Sequence, residues 1–307
     1  MKILVTGGAG FIGSHLVDRL VAQKHQVFVV DDLSCSTKKH LNPKAKFFKC
    51  DVKSPKLKEI FSKTKPEIVY HLAGQKSVSF SLQNPLADAT ANIWGSLKVI
   101  EEAERSKVKK FIFFSSGGAV YGNNKKPPFD EATLHNPDCP YGLAKLTVDN
   151  YLNNFYGRIR KFPFVSLRFA NAYGPRQSAG GEGGVVAIFI KSLLKKEQCF
   201  INGNGKQTRD FVYVGDAVEA CCKAISKGQG IYNIGTGKEI SVNTLYHLIA
   251  GLLTDVKPTY RPGINGEVFR SVLKSAKAKR ELGWAPKVDL ITGVKRTIDY
   301  FKKEGLK

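Results

Sequence analysis

The chain has 307 residues, of which 42% are hydrophobic, so it can bury the core of one large α/β domain or of two closely joined domains. No apolar run reaches about 18 residues and Met1 leads directly into an apolar segment, so we expect neither a membrane-spanning helix nor a signal peptide. The six cysteines include no Cys-x-x-Cys pair and no histidines at ligand spacing, which indicates reduced thiols in a cytoplasmic protein and no metal site.

The chain is strongly basic: 48 lysines and arginines against 26 aspartates and glutamates give a net charge of +22. Such a charge is typical of nucleic-acid-binding proteins, but it also suits a phosphate-bearing substrate. The lysines are dispersed in short pairs such as Lys38-Lys39, Lys109-Lys110 and Lys195-Lys196, and no long basic block occurs. We therefore expect solvated surface lysines and no nucleic-acid partner.

The N-terminal segment predicts a strand, a glycine-rich turn, a helix and a second strand. The strands are the apolar residues 2–6 and 26–30, and the turn has the spacing Gly7-x-x-Gly10-x-x-Gly13 instead of G-x-G-x-x-G. In a dinucleotide-binding unit the first glycine forms the tight turn, the second lets the backbone approach a pyrophosphate, and the third lets the helix pack closely on the strand. The pyrophosphate then meets free N–H groups at the start of the helix.

Acidic residues follow the second and third predicted strands. Asp31, with Asp32 beside it, lies 18 residues after Gly13, where a carboxylate can bind the adenosine ribose hydroxyls. The same carboxylate would repel a 2′-phosphate, so NAD is favoured over NADP. Asp51 is placed to reach the adenine amino group.

Strands and helices alternate through about residue 170, which predicts an α/β fold with a doubly wound parallel sheet, the Rossmann arrangement. His71, at the end of the fourth strand, is expected to be a packed core histidine and not a catalyst. Further strands are predicted at residues 47–52, 68–72, 111–114, 165–169 and 231–234, the last returning to the main sheet. Helices are predicted at residues 57–63, 85–107, from about 141, and at 185–194, 212–226, 275–282 and 290–303.

The pattern changes after residue 170, where a glycine-rich stretch and shorter elements replace the regular alternation. We expect a smaller, interleaved C-terminal domain that binds the substrate. The predicted division is an NAD-binding domain at residues 1–169 plus about 209–240, and a nucleotide-sugar-binding domain at residues 170–208 and 241–307.

Tyr141 and Lys145 are four residues apart, so a helix would place both side chains on one face. A nearby ammonium and the positive charge of an oxidised nicotinamide both stabilise a phenolate and lower the pKa of the tyrosine. A phenol tuned towards neutrality is a useful general base for an alcohol that is being oxidised. The spacing alone is common; its position, in the first predicted helix after the fifth strand, favours this interpretation.

At this point the chain resembles the extended short-chain dehydrogenase/reductase family and, within it, the UDP-glucose (UDP-galactose) 4-epimerases. The resemblance covers essentially the whole chain and is more specific for the family than for the substrate. The matching segments are residues 6–13, 71–74 with Lys76, 115–122, 141–145, 168–176, 207–214, 233–237 and 280–284.

The resemblance implies an NAD-dependent reaction on a UDP-hexose, in which hydride from C4 goes to NAD, the 4-keto sugar turns over, and hydride returns to its other face. Tyr141 would be the acid/base, Lys145 would hold the nicotinamide ribose, and Asn171 and Arg209 would meet the phosphates. The implied cofactor-binding residues are Gly7, Gly10, Phe11, Ile12, Gly13, Asp31, Asp32, Ser34, Asp51, Val52, Leu72, Ala73, Gly74, Lys76, Asn92, Ser115, Tyr141, Lys145 and Phe169. The implied substrate-binding residues are Lys76, Ser116, Tyr141, Asn171, Val185, Asn202, Arg209, Phe211, Glu267, Arg270 and Ser271.

Three positions depart from the family pattern. The family usually has Ser or Thr where this chain has Gly117; Ser116 is the expected substitute as a catalytic hydroxyl, with Ser115 as second choice. Asn202 stands where an aromatic residue often stacks on uracil, which leaves the base preference open. Lys274 replaces the usual Asp, and the sequence offers no reason for it.

Other functions remain open. A sugar-nucleotide dehydratase would carry Thr-Asp-Glu where this chain has Gly117-Gly118-Ala119, which counts against that reaction and less strongly against a decarboxylase. A non-catalytic NAD-binding protein would explain Gly117 but not an intact Tyr141 and Lys145. A homodimer is a further implication of the resemblance.

Ser271 lies 13 residues before Trp284, at a position that lines the sugar pocket beside C2 in the resembling epimerases. A tyrosine there leaves room for a hydroxyl, whereas a small residue leaves room for an N-acetyl group. Ser271 therefore predicts that N-acetylated sugars are accepted, unless a neighbour such as Phe269 fills the space.

Overall fold

The computed structural model describes residues 1–124, 126–178, 183–254, 256–263 and 268–305. Its strands are β1 (Lys2–Thr6), β2 (Gln26–Asp31), β3 (Lys46–Lys49), β4 (Ile68–His71), β5 (Lys110–Ser116), β6 (Phe164–Phe169), β7 (Asn171–Tyr173), β8 (Phe200–Asn202), β9 (Thr208–Arg209), β10 (Phe211–Tyr213), β11 (Gly230–Ile234), β12 (Ile240–Ser241), β13 (Thr259–Arg261) and β14 (Arg270–Ser271). Seven of them form one parallel sheet in the order β11-β6-β5-β4-β1-β2-β3. The predicted doubly wound α/β fold is confirmed.

The helices cover both faces of this sheet and build the second part of the molecule. They are α1 (Phe11–Ala22), α2 (Lys56–Thr64), α3 (Val78–Gln83), α4 (Pro85–Ala89), α5 (Gly95–Arg105), α6 (Gly117–Val120), α7 (Pro140–Asn150), α8 (Val185–Leu194), α9 (Val214–Ala224), α10 (Val242–Leu253) and α11 (Leu290–Lys303). One 3-10 turn (Lys38–His40) and three π-helical segments (Thr90–Trp94, Tyr151–Ile159 and Ala278–Leu282) complete the described helical structure.

The sheet is apolar on both faces because helices pack on each side. The central strands are almost continuous runs of Val, Ile, Leu and Phe, and β1 between Ile3 and Val5 has no exposed surface. Alternate residues enter two separate core clusters, with Ile3 and Val5 on one face and Leu4 on the other. Such runs are typical of parallel strands that are buried on both faces.

The strand order reverses between β1 and β4, which are neighbours although β2 and β3 separate them in the chain. In open α/β sheets ligands bind at this switch point, outside the carboxyl ends of the strands. The glycine turn that follows β1 and the segment 72–74 that follows β4 both lie at this edge. The fold therefore positions a binding cleft there.

A third core cluster lies apart from the sheet. It combines residues of α8, α10 and α11 with β7 and β10, which come from separate parts of the chain. This cluster supports the proposal of a smaller, interleaved domain. Phe211 belongs to the cluster, although the predicted division places residues 209–240 in the NAD-binding domain. The small strand pairs β7–β10 and β8–β13 and the three strands β12-β9-β14 are in this part.

Two predicted elements differ from the structure. The helix expected at 212–226 begins at Val214, because residues 211–213 pair with β7 and so form β10. The helix expected at 85–107 is present but is interrupted by the π-helical turn Thr90–Trp94. The first difference comes from a pairing between distant parts of the chain, which periodicity does not contain.

The described residues contain no helix that is both long and apolar enough to cross a membrane. In the same part of the chain, no three His, Cys, Asp or Glu side chains are grouped so that they could hold a metal ion.

A buried ion pair joins α7 to β6. The Arg168 Nε atom donates to Asp149 Oδ2 at 2.7 Å, and the two side chains are 1% and 0% exposed. The same carboxylate accepts from Ser115 Oγ at 2.9 Å, and Arg168 Nη1 donates to the Tyr121 hydroxyl and to His135 Nε2. A pair with this many additional hydrogen bonds can offset the cost of removing both charges from water.

Arg168→Leu should destabilise the fold strongly, because it leaves the Asp149 carboxylate buried without its cation. Loss of one partner of a buried pair costs about 3–5 kcal/mol, measurable as a lower free energy of unfolding in urea. The control is Lys109→Met, which breaks the exposed Lys109–Glu67 pair and should change stability far less. Equal effects of the two substitutions would contradict this assignment.

Candidate active site

The glycine turn is packed so closely that side chains do not fit. Gly7 has φ +69°, and a Cβ atom added there would lie 2.6 Å from the Ala73 nitrogen and 2.8 Å from the Leu72 carbonyl carbon. A Cβ atom at Gly13 would lie 2.2 Å from the Gly7 oxygen. Gly7 therefore fixes the turn against the end of β4, and Gly13 lets α1 start directly on it.

The start of α1 is open to an anion. Its N-terminal cap is Gly10, which has no side chain to accept from the first N–H groups, and its first turn contains no acidic residue. A cavity of about 470 Å³ meets this helix end at Gly10 and Phe11, and Lys76 lies on its wall. Ile12 is half-buried against the sheet core. The predicted glycine turn and Lys76 are thus brought together.

Asp31 lies beside the glycine turn and is 7% exposed, while its contact with the adenosine ribose stays a prediction. Its carboxylate accepts from the Ala9 and Leu33 backbone nitrogens at 3.0 and 2.9 Å and from Ser36 Oγ at 2.7 Å. Asp31 therefore also holds the glycine turn against the end of β2.

The neighbouring acidic residues are engaged locally. Asp32 accepts from the backbone and the hydroxyl of Ser34. Asp51 forms an ion pair with Lys53 at 2.8 Å, which contributes to its lowered pKa even though burial opposes it. Val52 is packed in a core cluster. Contact of these four residues with the cofactor stays a prediction.

Asn92 lies in the π-helical turn, opposite the segment that follows β4. Its Oδ1 atom is buried and accepts from no described group, and it would lie 2.5 Å from a Cβ atom added at Gly74. π-helical turns are frequent at functional sites. An open helix end, glycines without room for side chains and a buried unpaired acceptor together fit a dinucleotide, so the residues present suit the expected NAD.

Tyr141 is the second residue of α7, and its phenol is close enough to the Ser116 hydroxyl at the end of β5 for that hydroxyl to lower its pKa. Burial opposes this and raises the pKa of Tyr141 to about 12. The spacing of Tyr141 and Lys145 predicts a lowered pKa for the phenol. The chain alone does not lower it, because burial outweighs the other effects. The tuning is left to a bound cation.

Lys145 faces the same space but lies deeper. Its Nζ atom is 5.9 Å from the centre of the Tyr141 ring and 5.0 Å from that of Phe113, and it donates to the Phe114 carbonyl at 3.0 Å. Burial lowers the pKa of Lys145 to about 8, although Asp149 and Asp88 raise it. The ammonium is thus held by few partners and can hold another acceptor.

His71 is a packed histidine, as predicted. Its ring nitrogens lie 2.7 Å from Thr6 Oγ1 and 2.9 Å from Ser96 Oγ, and it is 1% exposed. Burial and the charge of Lys145 lower the pKa of His71 to about 3, so the imidazole is neutral.

The departure at Gly117 has a structural reason. A Cβ atom there would lie 2.4 Å from Leu273 Cδ1, so a hydroxyl-bearing side chain would require the Leu273 side chain to move. The adjacent hydroxyl of Ser116 contacts Tyr141. Ser115 points to the other side of β5 and donates to Asp149. Ser115 is therefore part of the buried network, and the catalytic role of Ser116 stays a prediction.

Three predicted substrate-binding residues converge on Gly118. A Cβ atom added there would lie 3.5 Å from Asn171 Oδ1, 3.8 Å from Ser271 Oγ and 3.9 Å from Ser116 Oγ. Because Gly118 has no side chain, room for at least a methyl-sized group is left between these three polar groups.

The two predicted arginines are placed differently. Arg209 is opposite Ser271 in the β9–β14 pair, and its Nη1 atom donates to the Thr208 carbonyl. Arg270 is exposed and donates to both oxygens of Glu239. It points away from Ser271, because neighbouring residues of a strand point to opposite faces. The geometry therefore groups Arg209, and not Arg270, with Ser271.

The remaining predicted residues are less central. Phe211 is 5% exposed within the third core cluster, and Val185 packs against that cluster. Phe169 is stacked on Phe114 at 4.8 Å. Asn202 ends β8, where its carbonyl accepts from Gln207. Glu267 lies outside the described residues.

Sequence reasoning missed two residues that line the same cavity as Gly10. Arg176 bonds Asp18 of α1 at 2.7 Å through Nη2, while its Nη1 atom is buried without a partner among the described residues. Gln177 Oε1 is likewise buried and, within that part of the chain, unpaired. Arg176 stands in one of the quoted motifs, but only the folded chain places it opposite α1.

Known proteins that are similar to this chain agree with the expected family and cofactor. Residues 3–235 match the family described as NAD dependent epimerase/dehydratase. A putative UDP-glucose 4-epimerase of Methanocaldococcus jannaschii is 42% identical over 98% of both chains. The solved UDP-glucose 4-epimerase of Thermotoga maritima with UDP-glucose has a TM-score of 0.97 and 46% identity over 99% of both chains. That of Thermus thermophilus in complex with NAD has a TM-score of 0.93 and 36% identity over 98% of this chain and 99% of that one.

More distant relatives carry other names. A dTDP-D-glucose 4,6-dehydratase of Mus musculus is 33% identical over 98% of this chain and 89% of its own. A UDP-N-acetylglucosamine 4-epimerase of Methanobrevibacter ruminantium, solved with UDP-N-acetylmuramic acid, has a TM-score of 0.93 and 32% identity over 99% of this chain and 98% of that one.

In protein freed of bound nucleotide, we expect Tyr141 to remain protonated at pH 10, where an exposed tyrosine is about half ionised. The measurement is the ¹³Cζ resonance of labelled tyrosine, assigned with Tyr141→Phe. Burial raises the pKa, so the shift to the phenolate position should begin only above pH 10. A Tyr141 resonance already at the phenolate position at pH 10 would overturn this expectation.

Proposed function

Because the chain belongs to the NAD dependent epimerase/dehydratase family, we propose that it interconverts UDP-glucose and UDP-galactose by inverting the configuration at C4. The observation that carries the proposal is the Tyr141 phenol, close to Ser116 and to the room left at Gly118, with Lys145 behind it. The Tyr141 phenol, the Ser116 hydroxyl and the Lys145 ammonium thus lie near one another.

The cofactor is NAD, which when bound takes a hydride from C4 and returns it to the opposite face, so that no net redox change occurs. The open end of α1 and Lys76 would hold its diphosphate, Asp31 its adenosine ribose, and Lys145 and Asn92 its nicotinamide ribose.

The chain's own groups move the proton. Ser116 orients the sugar 4-hydroxyl towards Tyr141, which accepts its proton during oxidation and returns it when the 4-keto sugar is reduced. The unliganded pKa of Tyr141, about 12, is too high for a base near neutral pH. When bound in its oxidised form, the cofactor would add a positive charge that lowers the pKa of Tyr141 for the oxidation step.

We further propose a homodimer. The helical face formed by α4, the following π-helical turn and α7 with its continuation exposes large apolar side chains at Leu86 (83%), Trp94 (54%), Leu143 (53%) and Ile159 (62%). Exposed apolar patches mark interaction sites, and the adjacent helices make this one continuous. Light scattering of the purified protein tests it; a monomer at micromolar concentration would refute the dimer.

We also propose a cytoplasmic location, which the six free thiols support because unpaired cysteines are typical of reducing compartments. Cell fractionation tests this, and recovery outside the cytoplasmic fraction would refute it.

The decisive experiment is incubation of the purified protein with UDP-glucose, followed by release and separation of the sugars. We expect galactose to appear without added NAD, and NAD to be recovered when the protein is denatured. NADP in the released nucleotide would contradict the role of Asp31. Absence of galactose from a sample that carries NAD would refute the proposed reaction.

Tyr141→Phe should reduce turnover by about 10²–10⁴-fold with the fold intact, because it removes the proton acceptor. Ser116→Ala should also slow turnover, whereas Ser115→Ala should mainly lower the unfolding temperature, since Ser115 bonds Asp149. Near-normal turnover in Tyr141→Phe, or a larger loss of turnover in Ser115→Ala than in Ser116→Ala, would show that these roles are wrong.

The sugar pocket should also accept UDP-N-acetylglucosamine. Ser271 is 2% exposed and faces the space at Gly118, while Phe269 is 53% exposed and leaves that space free. Ser271→Tyr should abolish turnover of the N-acetylated sugar and keep turnover of UDP-glucose. A wild-type protein inactive on UDP-N-acetylglucosamine would refute the gate, as would equal losses on both sugars.

A further inference from the structure

Asp88, on α4, is a buried carboxylate that the mechanism does not use. It is 0% exposed, and its Oδ1 atom accepts from Gln75 Nε2 at 2.7 Å and from Asn92 Nδ2 at 2.9 Å. Within the described chain, no group donates to its Oδ2 atom. Burying a carboxylate with an unpaired oxygen is costly, so its presence beside the active site calls for a reason.

Asp88 determines how the Asn92 amide is oriented. The Asn92 Nδ2 atom lies between two groups that only accept, the Asp88 carboxylate and the Gln75 carbonyl at 3.0 Å. An ionised carboxylate cannot donate, so the amide cannot turn over without placing two acceptors against each other. The Asn92 Oδ1 atom must therefore face the opposite side.

That opposite side is the active site. The position of a Cβ atom added at Gly74 would be 2.5 Å from Asn92 Oδ1 and 3.8 Å from Lys145 Nζ. Asn92 Oδ1 is buried and, among the described residues, has no donor. A fixed acceptor thus points towards Gly74 and the lysine ammonium, on the side from which a ligand hydroxyl could donate to it.

Asp88 also contributes charge to this space. Burial is the largest cause of both shifts: it lowers the pKa of Lys145 and raises that of Tyr141. The charge of Asp88 raises both pKa values. The other ionisable groups around these two are Asp149, which raises the pKa of Lys145, Cys139, which raises that of Tyr141, and the neutral His71. Burial raises the pKa of Asp88 itself, and its two hydrogen bonds and Lys145 lower it.

We propose that Asp88 is a positioning residue that fixes Asn92 Oδ1 as a hydrogen-bond acceptor for a ribose hydroxyl of the bound cofactor, next to Lys145. This rests on the proposed NAD-dependent function, since it assigns the ribose on the nicotinamide side to this space. Asp88 acts through Asn92 and touches neither the cofactor nor the sugar.

The test is Asp88→Asn, which keeps the shape but adds a donor, so that the Asn92 amide can adopt either orientation. We expect the rate at which NAD leaves the holoenzyme on dilution, in the absence of sugar, to rise about tenfold, the usual weight of one hydrogen bond. Loss of the negative charge should move both limbs of the pH–rate profile to lower pH, because it lowers the pKa of Tyr141 and of Lys145 alike.

Asn92→Ala removes the acceptor itself and completes a double-mutant cycle. If Asp88 acts through Asn92, the double variant releases NAD no faster than Asn92→Ala alone. Additive effects of the two substitutions would overturn the proposal, as would wild-type NAD release in Asp88→Asn. Should Asp88→Asn fail to fold, normal NAD retention in Asn92→Ala refutes the proposal by itself.

The matched control is Asp216→Asn, another buried carboxylate, which lies on α9 and accepts from the Lys287 and Val288 backbone nitrogens. It should lower the unfolding temperature without changing NAD release or the pH profile. NAD release is measured without substrate, so an inactive protein that still holds NAD would refute the epimerase reaction and leave this test intact.

Discussion

The active site is built around an ammonium that is almost out of reach of water. Lys145 is 6% exposed, and burial lowers its pKa to about 8. The Phe114 carbonyl, the face of the Phe113 ring and the two carboxylates Asp149 and Asp88 are what keep it charged. These groups come from three elements, with Phe113 and Phe114 on β5, Asp149 on α7 and Asp88 on α4, so the position of the charge depends on how these elements are packed.

The same charge explains the uncharged neighbours. His71 lies on the adjacent strand and is neutral because burial and Lys145 both oppose its protonation. It can therefore hold Thr6 and Ser96 by neutral hydrogen bonds without adding a second cation. A bound, oxidised nicotinamide would then add the positive charge that lowers the pKa of Tyr141.

Local signals were enough to predict the main sheet, the glycine turn and the Tyr141–Lys145 pair, because a short apolar run, a tight turn and one helical turn each depend on neighbouring residues. The parts that could not be predicted depend on distant residues. The glycine at position 117 packs against the Leu273 side chain, and strand β10 forms because it pairs with β7. Spacing also indicated a lowered pKa for Tyr141, but burial, which no motif contains, raises it.

The pleat of a single strand separates the structural hydroxyl from the one proposed for catalysis. Successive side chains of β5 point to opposite faces, so Ser115 enters the buried network of Asp149 and Arg168 while Ser116 reaches the Tyr141 phenol. Asp149 both holds Ser115 and raises the pKa of Lys145. Asp149 therefore has three interactions: it pairs with Arg168, it accepts from Ser115 next to Ser116, and its charge favours the ammonium form of Lys145. The same carboxylate contributes to stability and to the proposed active site.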